Sequence, residues 1–584
     1  MNPPNTRSVV VELTADTAAH AAAAVEHAVQ TAGLAARGWR VRGPADPGEP
    51  RRLIEVLAPA GTDLRRGWNA AHALTEALAA RPELAAIAEA ELDHALTEID
   101  ARIAAEVREA PGTELSINPP PRWHLAEIGA ERAWQHGHGH GVRIGHPDSG
   151  TTEHPSLAGA AVLHDQGLNL MEPGSPPIDP LAPVGQPGHG TATSSLMVGR
   201  ERLPHRVVGL APAAELVPIR VTDSVVILTW HARLAQAIDH AVARGCHVVS
   251  LSLGGLPGAR LRRAVERAHA RGVIVVAAAG NHVQFVVWPA AYPEVLAVAA
   301  TGPKGQVWSD SSKGPSVALT APGHRMLVAD WRDGDAVTRI SSGTSYATAL
   351  VASAAALWLA RHDPVALRQR YPGAALPQAF RRALAGSTRD ALDPGPFPRA
   401  WFGAGLLDCA ALLQAPLPLG EEAPGATPPA APEAMLVDAL LPLALERARG
   451  RTGPHEAIVS AHAQTRSVEQ RVRLGVAHLL GAGAREDLTT AAPGLGVEVL
   501  QQLVVDPVYR RALVDAVLGE SPLPAVPRHA SMALRRRIAD TTAAPARPRR
   551  RVQLAPTTAT TTTDSLRIVV PITLEVRLGA PEPE

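Results

Sequence analysis

The chain has 584 residues, 46% hydrophobic but only 3% aromatic, so a large core must be filled by Ala, Val and Leu. Lys plus Arg equals Asp plus Glu at 56 each, which removes any global electrostatic reason to expect nucleic acid or a membrane surface as partner. Two cysteines, Cys246 and Cys409, exclude a disulfide framework. The first residues lack a basic region followed by a longer apolar one, and no apolar run is long enough to span a bilayer. A cytoplasmic protein is therefore expected, with secretion by an unrecognised signal left open.

At about 100–200 residues per domain, the length predicts two to four domains. Residues 1–115 read as a small α+β unit and connector. Strands are expected at 8–13, 38–42, 53–58 and 84–91, and helices at 18–31 and 68–80, in the β-α-β-β-α-β order of a split βαβ domain. A charged helical stretch at 91–109 and a Pro-containing connector at 117–122 follow. Residues 116–415 alternate strands with helices: an amphipathic helix at 232–244 leads into an apolar strand at 246–255, and a helix at 259–271 into another at 272–280. Continuous apolar strands preceded by helices imply a parallel sheet covered on both faces, with ligands at its carboxyl edge. A Pro/Ala-rich linker is expected at 416–433 and a helical region at 434–521. A Pro/Thr/Arg-rich tail occupies 522–584 and contains an apolar strand at 566–576.

Three segments carry chemistry. Gly343-Thr344-Ser345 opens directly into an Ala-rich helix, placing a hydroxyl where free backbone N–H groups favour developing negative charge. Alone, such a Ser or Thr is ordinarily an N-cap. Gly188-His189-Gly190 sets a histidine between residues without side chains, and a strand through Gly141–Ile144 runs to Asp148 at an Asp-Ser-Gly turn. A hydroxyl near neutral pH needs a neighbouring base, and the base needs an acceptor that fixes its tautomer. The chain order Asp, His, Ser is one of the known orders of that triad.

With these segments and Val275-Val-Ala-Ala-Ala-Gly-Asn281, the sequence resembles the subtilisin-like (S8) serine peptidases over about residues 120–412. The resemblance implies an α/β fold with a parallel sheet and Asp148, His189 and Ser345 as the catalytic triad. It implies an oxyanion hole from Asn281 and the Ser345 backbone N–H. Substrate would be bound by Ser252, Leu253 and Gly254 on one side and by Ala278, Ala279 and Gly280 on the other. The amino-terminal unit is similar to the inhibitor-like propeptides of these enzymes, so self-cleavage within 110–121 is implied, with the chain's own N-terminal domain as inhibitor. Calcium is common in the family, but no ligand cluster is assignable here and no metal site is expected.

Some residues depart from the family pattern. His146-Pro147 stand before Asp148 where many relatives carry two apolar residues, and Pro147 offers no ladder N–H. Ala349-Leu350 replace a frequent Pro-His. The stretch from Asn281 to Pro293 is short, and Phe285 and Val286 within it suggest an apolar P1 preference. His136, His138 and His140 read as a solvated turn, Arg547 and Arg549–Arg551 as a flexible basic tail, and Cys246 as a buried small hydrophobe.

The expected function is a serine endopeptidase acting on protein or peptide substrates through an acyl-enzyme and made as a self-inhibited precursor. A dedicated precursor-processing or transpeptidating peptidase and a catalytically silent binding scaffold are the alternatives. The C-terminal helical region is read as a partner-binding or autoregulatory module.

Overall fold

A computed structural model describes most of residues 6–92 and 122–419, apart from short internal stretches, together with separate stretches between 440 and 543. Residues 93–121, 420–439 and those beyond 543 lie outside the described residues, and with them the expected processing segment, most of the expected linker at 416–433, the basic cluster and the terminal strand.

The amino-terminal unit contains β1 (Thr6–Leu13), α1 (Ala21–Thr31), β2 (Arg40–Pro44), β3 (Leu53–Leu57), α2 (Leu64–Ala79) and β4 (Ala86–Leu92). Its strands form an antiparallel sheet in the order β2-β3-β1-β4. α2 starts earlier than its apolar spacing suggests because Asp63 accepts the Arg66 backbone N–H at 2.7 Å, satisfying a first-turn donor. Val9, Val11, Ile54 and Val56 turn one face of the sheet onto Val25, Trp68 and Leu74 of the helices.

The larger unit is built on a parallel sheet. Its strands are β5 (Arg143–Asp148), β6 (Ala161–Val162), β7 (Leu168–Asn169), β8 (Glu215–Arg220), β10 (Val248–Leu251), β12 (Ile274–Ala278), β13 (Leu296–Thr301) and β14 (Val317–Pro322). Their order is β14-β13-β12-β10-β5-β8-β6, with β7 also on β8. Burial follows the period of two on both faces: Ile274 and Val276 join one core, Val275 and Ala277 the other. One face is covered by α3 (His189–Val198) and α6 (Thr344–His362), the other by α4 (His231–Ala243) and α5 (Ala259–Ala270). Residues 344–359 of α6 are all buried, the signature of a helix that is apolar on every side and runs through the core.

The chain builds outward from β5 in both directions, β8 on one side and β10 on the other, so the order reverses beside β5. The carboxyl ends flanking such a reversal leave a crevice that the crossover connections do not fill. Asp148 ends β5, Ser252 follows β10 and Asn281 lies three residues beyond β12. Pro147 is tolerated within this central strand because β10 pairs with β5 only at Ile144 and Gly145. Beyond that point β5 has β8 alone, so the missing N–H breaks no ladder on the β10 side.

The two units meet through the sheet of the amino-terminal unit and α5. Glu55 pairs with Arg260 at 2.7 Å with both side chains buried, Glu12 pairs with Arg262 and Arg263, and Val10 and Leu53 pack on Ala259. On the helical side, Glu498 is fully buried, accepts from the Ser531 backbone at 2.7 Å and hydroxyl at 2.8 Å, and lies 2.8 Å from His72 Nε2 of α2. The C-terminal region thus contacts the amino-terminal unit of its own chain. No helix among the described residues is long and apolar enough to cross a membrane.

Candidate active site

Asp148 is wholly buried, and its Oδ1 accepts the Ser149 backbone N–H at 2.7 Å and His189 Nδ1 at 2.8 Å. Burial acts to raise its pKa, but the pull of His189 and the close approach of His146 outweigh it and hold the carboxyl below the usual carboxylate range. An ionised carboxylate only accepts, so the proton of a neutral His189 ring sits on Nδ1 and Nε2 carries the lone pair.

His189 opens α3 after Gly188, whose φ of 75° is left-handed and suits glycine. Asp179 holds this turn: its Oδ2 accepts the Gly188 N–H at 2.7 Å and its Oδ1 that of Leu181 at 2.8 Å. Asp179 has no motif of its own, and no pattern in the sequence singles it out. Gly190 is required by contact, since a Cβ there would lie 2.2 Å from the Gly150 carbonyl oxygen and 3.2 Å from Asp148 Oδ1. The glycines around His189 let the helix start press against the turn that follows β5.

Ser345 is the second residue of α6 and is 5% exposed. Its Oγ donates to the Ser252 carbonyl at 3.2 Å, while Ser252 Oγ donates to the Ser345 carbonyl at 3.1 Å. No hydrogen bond joins Ser345 to His189; the imidazole instead lies against the ring of the next residue, Tyr346, with centroids 6.5 Å apart. Unliganded hydrolytic sites often hold the nucleophile and base apart until substrate binds.

Asn281 is oriented by Thr344, whose backbone N–H and hydroxyl donate to its Oδ1 at 3.0 and 2.8 Å. That assignment turns Nδ2, a donor, toward Gly343. A Cβ built on Gly343 would lie 3.5 Å from Asn281 Nδ2 and 3.7 Å from the Ser345 backbone nitrogen, so both groups border one small space. Two N–H groups beside a hydroxyl provide what a developing oxyanion requires.

The expected substrate edge is occupied by the protein itself. The strand expected through residue 255 leaves the sheet after Leu251, and β11 (Gly254–Gly255) pairs with β9 (Val226–Ile227). The Gly254 N–H donates to the Val225 carbonyl at 3.0 Å. Ser252, Leu253, Ala278 and Ala279 are all buried, and the Gly280 N–H goes to Thr344 Oγ1 at 3.2 Å. Phe285 and Val286 pack into the core on the α4 and α5 side. Cys246 and Cys409 are both free and buried, and burial pushes the Cys246 thiol up to about 12. His138 stacks on Trp134. Among the described residues no three His, Cys, Asp or Glu side chains gather as metal ligands.

The subtilase family (peptidase S8) matches residues 139–396. Thermitase of Thermoactinomyces vulgaris is 35% identical over 235 residues, covering 40% of this chain and 79% of thermitase. The chain belongs to the subtilase family. This subtilase is also 34% identical over 254 residues to the thermostable alkaline protease of Halalkalibacterium halodurans, covering 43% of this chain and 65% of that protein's length. It is 32% identical over 257 residues to the minor extracellular protease Epr of Bacillus subtilis (strain 168), covering 43% of this chain and 37% of that protein. Among solved structures, MycP1 from Mycobacterium smegmatis aligns with a TM-score of 0.42 and 24% identity over 54% of this chain and 89% of MycP1.

These relatives overturn the cytoplasmic expectation, since subtilases of this kind include one that is extracellular by name. The expectation rested on the opening residues, which do not report compartment by themselves. Two buried, unpaired cysteines suit an oxidising or a reducing surrounding equally.

Proposed function

We propose that this subtilase is a serine endopeptidase acting on protein or peptide substrates, with Asp148, His189 and Ser345 as its triad and Asn281 with the Ser345 N–H as its oxyanion hole. The observation that carries the reading is the 2.8 Å bond from His189 Nδ1 to the buried Asp148, which leaves Nε2 of the neutral ring as the acceptor, in an imidazole that lies beside Tyr346 at the start of α6. Rotation about χ1 frees Ser345 Oγ from the Ser252 carbonyl. His189 Nε2 then takes its proton as the oxygen attacks the scissile carbonyl carbon. The oxyanion is held by Asn281 Nδ2 and the Ser345 N–H, and the intermediate collapses as His189 passes the proton to the departing amine. Water repeats the sequence on the acyl-enzyme and restores Ser345.

The amino-terminal unit is the enzyme's own inhibitor in this reading. Its support is the buried Glu55–Arg260 pair and the Glu12 carboxylate over the first turns of α5, a helix that begins four residues after β11. Ser345→Ala in the full chain tests both parts. The reading expects an unprocessed chain without peptide hydrolysis, and no labelling by a fluorophosphonate that labels the parent. Cleavage by that variant at the parent's rate refutes it.

A further inference from the structure

Ile144, His146 and Asp148 alternate onto one face of β5, the face covered by α3. The middle position is occupied by an imidazole that is 1% exposed. Its Nδ1 lies 3.2 Å from Ser194 Oγ and its Nε2 3.0 Å from Thr193 Oγ1, both on α3. The same Nε2 is 3.5 Å from Asp148 Oδ2. Asp148 Oδ2 is buried and makes no hydrogen bond among the described residues, so this imidazole is the polar group offered to it.

The protons around the ring can be placed. Thr193 Oγ1 is 3.1 Å from the His189 carbonyl and 3.2 Å from that of Gly190, and Ser194 Oγ is 2.6 Å from the Gly190 carbonyl. Each hydroxyl has one proton, and those carbonyls can only accept. The Thr193 lone pairs are then left for Nε2. Nε2 faces a lone pair of Thr193 and a carboxylate oxygen, two acceptors, so Nε2 carries a proton. That N–H lies between the helix bearing His189 and the second oxygen of its carboxylate partner.

We infer that His146 is a positioning residue of the proposed triad: its Nε2–H tethers α3 through Thr193 and steadies Asp148 through Oδ2, keeping Oδ1 on His189 Nδ1. The inference rests on the triad reading above. A buried carboxylate oxygen with no polar neighbour would draw the carboxylate out of plane or admit water, and the imidazole it orients would lose its direction. Misplacement on the scale of 1 Å at a reacting group is enough to cost a factor of 10². His146 sits behind the triad within the sheet, so its loss acts on turnover and not on substrate affinity.

Two amides of identical chemistry separate the roles of the ring nitrogens. In His146→Gln the amide nitrogen reaches the place of Nε2; in His146→Asn it stops at the place of Nδ1. Both are made in the full chain, with folding checked by thermal melting and kcat and KM measured on a chromogenic peptide. The Gln variant is expected within about threefold of the parent and the Asn variant about tenfold down in kcat with KM unchanged. An Asn variant as fast as the parent overturns the inference, as does a Gln variant as slow as the Asn one or a loss that falls on KM. Ser345→Ala is assayed in parallel. If that variant still cleaves, the triad reading itself has failed; if it is dead while the amides are alike, only the role of His146 has.

Discussion

Asn281 offers the sharpest test of the site because its two amide atoms do separate work. Oδ1 accepts both Thr344 donors at 3.0 and 2.8 Å, whereas Nδ2 makes no hydrogen bond among the described residues and borders the space at Gly343. Asn281→Asp preserves the acceptor and deletes the donor. Losing one oxyanion donor costs about 3 kcal/mol of barrier, or roughly 150-fold in kcat. Asn281→Leu deletes both atoms and also strands the Thr344 N–H and hydroxyl, at about 1–3 kcal/mol of stability for each buried group left unpaired. The two variants should therefore be similarly slow, but only the leucine variant should melt several degrees lower. Steady-state hydrolysis of a peptide anilide gives kcat and KM, and calorimetry gives the melting temperature. The rate of chain processing supplies the same comparison should maturation itself be slow. An aspartate variant within threefold of the parent in kcat, or one whose defect lies in KM, refutes the oxyanion role.

Other expectations concern neighbouring atoms. Asp148→Asn keeps the shape of the acceptor but can donate to Nδ1, favouring the wrong tautomer of His189; kcat should fall by about 10⁴ with the melting temperature little changed. Gly190→Ala places a methyl 2.2 Å from the Gly150 carbonyl oxygen, so the start of α3 must move; both activity and melting temperature should drop, and an unaltered variant would show that the helix start is not pinned. His124 is buried with neither ring nitrogen hydrogen-bonded among the described residues, and burial, aided by Arg122, lowers its pKa from 6.5 to about 3. The unfolded chain binds this proton more readily, so the contribution to stability is intact above pH 6.5 and is lost as pH falls toward 3. At pH 4.5 the loss is about 3 kcal/mol. His124→Leu should thus raise the melting temperature more at pH 4.5 than at pH 8, relative to the parent. Equal gains at both pH values would count against the assignment.

Ser345, His189, Asp148 and Asn281 could be singled out along the chain because each proposed role depends on a local stretch: a hydroxyl at a helix start, an imidazole between glycines, a carboxylate at a strand end, an amide after an apolar strand. The parallel sheet was legible for a similar reason, since continuous apolar strands alternating with amphipathic helices admit few other arrangements. The amino-terminal unit was readable from its element order, although the Asp63 cap that lengthens α2 was overlooked. Compartment was misread, because the first few residues say little about it.

Periodicity assigns His146 to the face it shares with Asp148, yet only the docking of α3 brings Thr193 and Ser194 to its ring. Asp179 stands ten residues before His189 in no motif, and the folded turn alone makes it the acceptor for Gly188. Tertiary structure likewise decided that Ser345 Oγ rests on the Ser252 carbonyl and that the Val225 carbonyl takes the Gly254 N–H. The sequence by itself determined which side chains can do chemistry and the elements that carry them, because both follow from residue type and short-range pattern. Which lone pair meets which proton depended on how elements far apart in the chain are packed, and hydrogen bonds of about 3 Å leave no room to infer that from spacing.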